Sequence, residues 1–488
     1  MDNHTPFFPV WRARLAACGS RLADTVKTLQ ACTLAQLENR FHSCLPPSLF
    51  PKAAAKQNSR DRTYTQQRTF WSFLWQVLNP KSSGREVVRQ LQALITLQGG
   101  RAICPDDGAY CRARLRLPAG LLPRALAATA QAAQRLTANS DFLQGRPVKL
   151  CDGSSVTMPD TPANQAAYPK VQATHDGNGF PMMRLVVLFC LASGAILSLL
   201  SANLHTSEMR LFHQLMDQLS PGDIALGDRG FGNYIVVCLL RALGVDFIGR
   251  SARRVDGRRR VRRLGRNDWL VRWRRSGTPS AILDPRQWAG VPLELTVRIV
   301  RGSLWQPGFR VRQVTVVTTL LDPELYPAEQ ILRAYARRWR LEMCLDDLKT
   351  TLGMEMLRCK SPAMVQKEVY LHFIAHNLVR LLMAQAADIH QVPIERMSFK
   401  GTLDAFRQFS HALCQARSKR KRVELWAELL RTLAADLVPE RPGRREPRAV
   451  KRQKNKYPRL DKARDKFRDH PKRCVRQRKA RLRNASLK

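Results

Sequence analysis

Two short stretches, VKLCDGSS at residues 148–155 and IALGDRG at residues 224–230, have the same pattern. Successive side chains of a β-strand point to opposite faces, so the alternate apolar residues and the aspartate of each stretch share one face. A carboxylate at the end of a buried strand face is costly unless a cation neutralises it. Asp152 and Asp228 are therefore candidate metal ligands. The alternative is that both are turn residues, because a glycine follows each of them closely.

The segments around these stretches alternate between the two-residue period of strands and the spacing of helices. Three strand-like segments precede a helix capped by Thr206 or Ser207, and a strand, a helix and a short strand follow. This order predicts a layered α/β domain and matches a ribonuclease-H-like fold. The predicted strands lie at 148–156, 183–191, 195–200, 223–228 and 245–248, with helices over about 207–219 and 234–243.

The chain has 488 residues and a formal net charge of +43. A folded protein tolerates such self-repulsion when a polyanion neutralises it, so DNA or RNA is the first candidate partner. An anionic membrane surface fits less well, because basic residues run through the folded segments too. The longest apolar run, 185–200, is shorter than the ~20 residues that cross a membrane. With no secretion signal and no paired cysteine spacing, we expect a cytoplasmic protein with reduced thiols.

Basic residues are concentrated in two regions. Residues 250–275 contain twelve arginines and two acidic residues, and the runs 293–300 and 309–319 that follow alternate as strands do. A basic, β-rich insertion is therefore predicted. Residues 441–488 contain 21 Lys and Arg against four acidic residues. With so little apolar content, this tail is predicted to be disordered until it meets nucleic acid.

A long helix is predicted over about 327–352. At about 100° per residue, four polar side chains fall within about 60° of one another on it: Tyr335, Arg338, Glu342 and Lys349. The carboxylate could complete a metal site with the two aspartates while the cations hold phosphates. The alternative is a solvated face on which Arg338 and Glu342 form an i, i+4 surface ion pair.

This Tyr-x2-Arg-x3-Glu-x6-Lys spacing resembles the signature of the bacterial insertion-sequence transposases of the IS-four group, DDE enzymes with a ribonuclease-H-like core. The order Asp, Asp, Glu and the insertion before the glutamate resemble that group as well. The resemblance covers about residues 60–461, and further blocks agree with it: DGSS at 152–155, PDTP at 159–162, GDRGF at 227–231 and SFKGTL at 398–403.

The resemblance implies that the catalytic acids, which would bind two Mg2+ ions with Mn2+ able to substitute, are Asp152, Asp228 and Glu342. The residues that would grip phosphates at the transposon end are Tyr335, Arg338 and Lys349. The implied reaction is cut-and-paste transposition, in which the transposon ends are hydrolysed and their 3′-hydroxyls are transferred into target DNA. The implied partners are double-stranded DNA, both terminal inverted repeats and target, and a second protomer in a homodimeric synaptic complex at the bacterial nucleoid.

Six regions are predicted along the chain. A helical region that binds DNA ends precedes the core, which the insertion divides into two parts, and a helical region and the basic tail follow. Their bounds are 1–145 for the N-terminal region, 146–250 and 325–386 for the core, 251–324 for the insertion, 387–440 for the C-terminal helices and 441–488 for the tail.

Two other functions remain open on the residues alone. The same three carboxylates would serve a ribonuclease-H-like nuclease or resolvase that cuts DNA without strand transfer. A catalytically inactive DNA-binding regulator would keep only the basic surface.

Weaker patterns have ordinary explanations beside functional ones. Glu368, His372 and His376 repeat at helical spacing and could ligate a metal, although a helix surface row is commoner. His205 and Glu208 could approach the aspartates, although capping or packing is the commoner role. Four tryptophans fall in the insertion, where one could stack a flipped base and most would be core: Trp269, Trp273, Trp288 and Trp305.

Overall fold

The structure, a computed structural model, describes residues 40–50, 63–97, 99–137, 142–169, 180–250, 260–280, 282–304, 312–416 and 418–439. The predictions for Trp305, for much of the arginine run and for the basic tail lie outside the described residues. Within the described ranges, none of the helices combines the length and the hydropathy needed to cross a membrane. The cysteines in these ranges are free thiols.

Nine strands form one sheet in the order β3-β2-β1-β4-β5-β9-β8-β7-β6. The strands are β1 (Val148–Thr157), β2 (Met182–Cys190), β3 (Ile196–Asn203), β4 (Ile224–Gly227), β5 (Asp246–Gly249), β6 (Arg260–Gly265), β7 (Asp268–Arg274), β8 (Glu294–Leu304) and β9 (Arg312–Thr318). β1, β2 and β3 are antiparallel, whereas β4 is parallel to β1 and β5 is parallel to β4. The predicted order of the first five strands is confirmed.

The strands found in the predicted insertion continue the core sheet. β9 pairs antiparallel with β5, and β8, β7 and β6 follow outward from it. The alternating runs predicted β8 and β9. The sequence analysis did not assign β6 and β7, because exposed arginines obscure the apolar alternation of an edge strand.

Helices cover both faces of the sheet. They are α1 (Gln66–Leu78), α2 (Gly84–Leu97), α3 (Gly108–Arg116), α4 (Leu121–Leu136), α5 (Pro162–Ala167), α6 (Glu208–Leu215), α7 (Tyr234–Ala242), α8 (Pro285–Gly290), α9 (Ala328–Ala336), α10 (Trp339–Asp346), α11 (Pro362–His390), α12 (Phe399–Gln415) and α13 (Lys419–Ala435). Side-chain oxygens cap several of them, and the predicted cap of α6 is one of these. Ser207, for example, accepts from the backbone N–H of Arg210 and begins α6.

The two faces of β1 enter different cores, because its side chains alternate. Val148 and Leu150 join the large core that contains α1, α4, α9, α10 and the buried α11. Cys151 faces the smaller core under α6 and α7. Asp152 follows Leu150 on the first face, so its side chain is on the side of the sheet where α10 packs.

The predicted long helix is wrong in one respect, because it is interrupted. α9 ends at Ala336, a turn occupies Arg337 and Arg338, and α10 begins at Trp339. α10 continues directly into a π-helical turn at Asp347–Thr351. Such turns change the angular relation between side chains before and after them, so a uniform 100° step does not describe this segment.

A buried ion pair fastens the insertion to the segment that leads into α9. The Arg298 guanidinium on β8 donates to both carboxylate oxygens of Asp268 on β7, from Nε at 2.8 Å and from Nη2 at 2.5 Å. Its Nη1 donates to the carbonyl oxygen of Tyr326 at 2.7 Å. Arg298 is fully buried and Asp268 is nearly so, so each charge is neutralised where water does not reach it.

Candidate active site

Asp152 and Asp228 occupy matching places on neighbouring parallel strands. Leu150 of β1 is in register with Leu226 of β4, and each aspartate follows two residues later. Adjacent strands lie about 4.8 Å apart, so both side chains leave the same face at the same height. The sequence pattern predicted that each aspartate continues the apolar row of its own strand, and the pairing of β1 with β4 brings the two rows side by side. Asp228 comes just after the last residue of β4, where the sheet opens.

Asp228 also acts in a turn, as the alternative interpretation held, but that interpretation is wrong for Asp152, which lies within β1. Asp152 Oδ1 accepts from the backbone N–H of Gly153 at 2.9 Å. Asp228 Oδ1 accepts from the backbone N–H groups of Gly230 and Phe231 at 2.7 and 3.2 Å. These bonds use one oxygen of each carboxylate and fix its direction. The turn role of Asp228 is therefore compatible with a metal-ligand role.

The charge of Asp152 is poorly compensated. Burial and the neighbouring charges of Asp228 and Glu208 raise its pKa to about 6, against the lowering effects of the Gly153 N–H and of Arg338. Among the described residues, no ion pair within 4 Å includes Asp152 or Asp228. Two neighbouring carboxylates that repel each other without a cation are the electrostatic condition that a divalent ion relieves.

The Tyr-Arg-Glu part of the helix signature forms a contact chain. Tyr335 is buried and hydrogen-bonds Arg338, and Arg338 Nη2 donates to Glu342 Oε1 at 2.9 Å. The side chains of Arg338 and Glu342 are 21% and 40% exposed, so this i, i+4 pair is partly buried rather than fully solvated. Burial lowers the pKa of Arg338, but the hydrogen bond with Glu342 and nearby negative charge, Asp152 included, outweigh that effect and raise it. Arg338 thus links the helix to the aspartates. Lys349 is half-buried in the π-helical turn.

The three acids are not gathered into a ready-made metal cluster. Across the described ranges, no group of three or more His, Cys, Asp or Glu side chains is close enough to hold a metal ion. Glu342 instead pairs with Arg338. The donor chemistry nevertheless fits a hard divalent cation, which prefers carboxylate oxygens. The half-buried Asp152 and Asp228 carry the uncompensated charge that such an ion requires.

The row of Glu368, His372 and His376 has a structural explanation. The buried Glu368 carboxylate accepts from the backbone N–H groups of Arg358 and Cys359 at 2.9–3.0 Å. His372 and His376 are buried within α11, and the His376 ring stacks on Phe399. Burial lowers the pKa of each histidine to about 3, so both are neutral. The expectation of a helix surface row is wrong, because α11 is buried on nearly all sides.

Three insertion tryptophans are covered by other side chains. The guanidinium groups of Arg260 and Arg301 lie 4.7 and 5.3 Å from the Trp269 ring centre. The Trp273 ring packs edge-on against Tyr234, and the guanidinium of Arg275 lies over Trp288. Their contacts agree with the expectation that most of these tryptophans are packing residues.

The SFKGTL block also has a local structural role. Ser398 caps α12 by accepting from the backbone N–H of Gly401, and its own N–H donates to the carbonyl oxygen of Asp436. A Cβ on Gly401 would overlap the Asp436 carboxylate. Glycine therefore lets the Asp436 carboxylate, just after α13, lie against the start of α12.

Comparison with known proteins identifies the class to which this arrangement belongs. The family described as the transposase DDE domain matches residues 143–378, which include all three acids. The chain is also 27% identical over 426 residues to the transposase InsG for insertion sequence element IS4 of Escherichia coli (strain K12), covering 85% of this chain and 92% of that protein.

A cryo-EM structure of the piggyBac transposase synaptic complex with hairpin DNA shares 9% identity with this chain at a TM-score of 0.37, covering 78% of this chain and 79% of that one. A likeness at that score carries no argument. The domain match and the long alignment are sufficient: the chain is a DNA transposase with a DDE domain. Both matches agree with the helix signature, which resembles that of the IS4 group of DDE transposases.

Proposed function

We propose that this transposase moves an insertion sequence by a cut-and-paste reaction at Asp152, Asp228 and Glu342. The observation that carries the proposal is the matched placement of Asp152 and Asp228 on parallel strands, with no cation paired to either in the described part of the chain. Phosphodiester chemistry requires positive charge at such a point, because both the attacking and the leaving oxygen develop negative charge.

We assign the core to the ribonuclease-H-like folds. Its support is the strand order β3-β2-β1-β4-β5 with β1, β4 and β5 parallel, and the helices α6 and α7 that connect β3 to β4 and β4 to β5. On this assignment the insertion enters after β5 and the core resumes at α9. The division into six regions, with N-terminal helices that bind transposon ends, follows from the same assignment.

DDE enzymes act with divalent metal ions, and Asp152, Asp228 and Glu342 are the residues that would hold two Mg2+ ions here. When bound, these ions supply the positive charge that activates the attacking hydroxyl and stabilises the leaving oxygen of an in-line displacement, and Mn2+ would substitute for Mg2+. To hold metal, Glu342 would have to give up its ion pair with Arg338, which would free the Arg338 guanidinium.

Arg338 and Lys349 would bind the DNA backbone beside the acids. A guanidinium is suited to two parallel hydrogen bonds with a phosphate, and Arg338 already lies near Asp152 and is oriented by Tyr335. Tyr335 would thus act partly through Arg338, and Lys349 would add a point charge. Glu342 and the phosphate compete for the same guanidinium, so DNA and metal would enter the site together.

Double-stranded DNA, as transposon inverted repeats and as target, is the proposed partner. The net charge of +43 and the exposed arginines of β6 support it. A pair of transposon ends would be held by a homodimer in the synaptic complex.

A product assay separates this function from its two rivals. A labelled transposon end is incubated with the full chain, Mg2+ and a target plasmid, and the products are resolved by size. Joined end–plasmid products are expected. Cleavage without joining would favour the nuclease or resolvase. A regulator without catalysis would bind DNA and form no product. Asp228→Ala would then leave every measured activity unchanged.

A further inference from the structure

Glu208 lies directly against the backbone next to Asp152. A Cβ built on Gly153 would stand 2.5 Å from Glu208 Cδ and 2.7 and 2.8 Å from its two carboxylate oxygens. Only a hydrogen atom fits there, so the presence of glycine lets the carboxylate approach the strand. Glu208 therefore approaches the chain position after Asp152 from the face on which α6 packs, beyond the last paired residues of β1 and β4.

An acid at the start of a helix stabilises the helix without having to point toward β1. Glu208 is the first residue of α6, where a negative charge favours the helix dipole. Ser207 already caps the helix by accepting from the Arg210 N–H. The Glu208 carboxylate extends instead toward β1, and its charge contributes to the raised pKa of both Asp152 and Cys151.

Glu208 is only loosely neutralised and remains accessible. The ion pair that the described residues form with it is to Arg184 Nε at 3.8 Å, and the Glu208 side chain is 47% exposed. Arg184 Nη1 is committed elsewhere, since it donates to the carbonyl oxygen of Thr206 at 2.6 Å. The oxygens of Glu208 are therefore available to a ligand from solvent.

We propose that Glu208 is a fourth acid of the active site, which supplies negative charge and carboxylate oxygen to the divalent ions held by Asp152 and Asp228. This inference rests on the proposed function of those two residues. The affinity of an oxygen-ligand site for a divalent ion rises with the number of charged ligands. Glu208 would accordingly set the metal concentration at which the enzyme works, and Gly153 would be required for its approach.

The test measures Mn2+ binding to the full chain without DNA, by the loss of the electron paramagnetic resonance signal of free Mn2+. Glu208→Gln keeps the shape and removes the charge, and we expect it to weaken Mn2+ binding by about 10-fold or more. Glu208→Asp should recover part of the affinity. Glu424→Gln is the matched control, because Glu424 is also a 47% exposed, ion-paired residue near a helix start, and it should bind Mn2+ like the wild type.

A second variant displaces the carboxylate without removing its charge. Gly153→Ala places a methyl group where the Glu208 carboxylate lies, and the flexible side chain can move aside at small folding cost. We expect weaker Mn2+ binding in this variant too. We also expect the double variant Gly153→Ala, Glu208→Gln to bind Mn2+ as strongly as Glu208→Gln alone, because both changes remove the same contact.

Asp152→Asn, measured in parallel, distinguishes a failure of the role proposed for Glu208 from a failure of the proposed metal site itself. If Asp152→Asn weakens Mn2+ binding and Glu208→Gln does not, the role of Glu208 is wrong and the proposed site stands. If neither variant weakens binding, the metal site itself is misplaced. Thermal unfolding of each variant shows whether the fold is intact, and a loss of binding shared by Glu424→Gln would overturn the specific role of Glu208.

Discussion

Asp268 in the insertion and Asp152 in the core are both acids removed from full solvent, but their surroundings differ. Asp268 receives two hydrogen bonds from the buried Arg298 guanidinium. Asp152 receives one from a backbone N–H and faces the like charge of Asp228. A paired charge holds the architecture together, whereas a half-buried charge without a cation partner is costly unless a ligand completes it. We therefore interpret Asp268 as a structural acid and propose that Asp152 is a functional one.

The largest expected effect is on catalysis. Asp152→Asn and Asp228→Asn should each lower the rate of strand transfer by about 10³-fold or more, because metal ions contribute several kcal/mol of transition-state stabilisation. The rate of joined-product formation with Mg2+ measures this. Glu329→Gln is the control, since Glu329 is an exposed acid on α9 paired with Arg333, and its rate should match the wild type. A loss below 10-fold in both Asn variants would remove them from the catalytic site.

The structural acid should respond through stability instead. Arg298→Leu leaves Asp268 buried without its partner and should lower the free energy of unfolding by about 3–5 kcal/mol. Denaturant unfolding measures it. Arg274→Leu breaks a neighbouring pair with Glu294 in which the arginine is 61% exposed, and it should cost less than about 1 kcal/mol. Equal losses in the two variants would mean that burial does not distinguish these pairs.

A buried base provides a pH test of the same principle. The pKa of His376 is lowered to about 3 because burial and Arg380 disfavour its charged form, whereas the unfolded chain titrates near 6.5. Below pH 6.5 the unfolded chain takes up a proton at this histidine that the folded chain does not. The free energy of unfolding therefore falls progressively as the pH drops from 6.5 toward 3. Between pH 7.5 and pH 5 this amounts to about 2 kcal/mol. His376→Phe should be less acid-sensitive by that amount in denaturant unfolding at the two pH values, and an unchanged pH dependence would contradict it.

The smallest expected effect is a gain in stability. The pKa of Asp152 in the folded chain is raised to about 6, so above pH 6 the folded state carries a charge that the unfolded chain accommodates more easily. Asp152→Asn should then stabilise the metal-free protein by about 1–2 kcal/mol at pH 8. The gain should shrink as the pH falls through 6 toward 4, where the wild-type carboxyl is protonated. A destabilised variant at pH 8 would contradict the assignment of Asp152 as an uncompensated acid.

Local patterns were sufficient to predict much of this molecule. The alternation in the strands that carry Asp152 and Asp228 predicted that each aspartate continues the apolar face of its strand, because strand periodicity is a property of a few neighbouring residues. Helix starts such as that of α6 followed from capping chemistry. The i, i+4 contact between Arg338 and Glu342 followed from helical spacing.

The features that sequence could not predict depend on residues distant in the chain. Glu368 caps backbone groups at Arg358 and Cys359 instead of joining a metal site. Gly401 is required by Asp436. The interruption at Arg337 and Arg338 lies in a run of good helix formers, so propensity gave no sign of it. From the sequence, proximity of Glu208 to Asp152 was only one of two alternatives, because its side chain approaches a strand more than fifty positions earlier in the chain.

The central claim is that Asp152 and Asp228 hold divalent metal as a pair. Thermal unfolding of the full chain with and without Mn2+ tests it most directly, because a ligand that binds only the folded state stabilises it by about 2.7 kcal/mol at a hundred times its Kd. The wild type should gain this stability. Asp228→Asn should gain little or none, although it folds without metal at least as stably as the wild type. An equal Mn2+-induced gain in the wild type and in Asp228→Asn would contradict the claim.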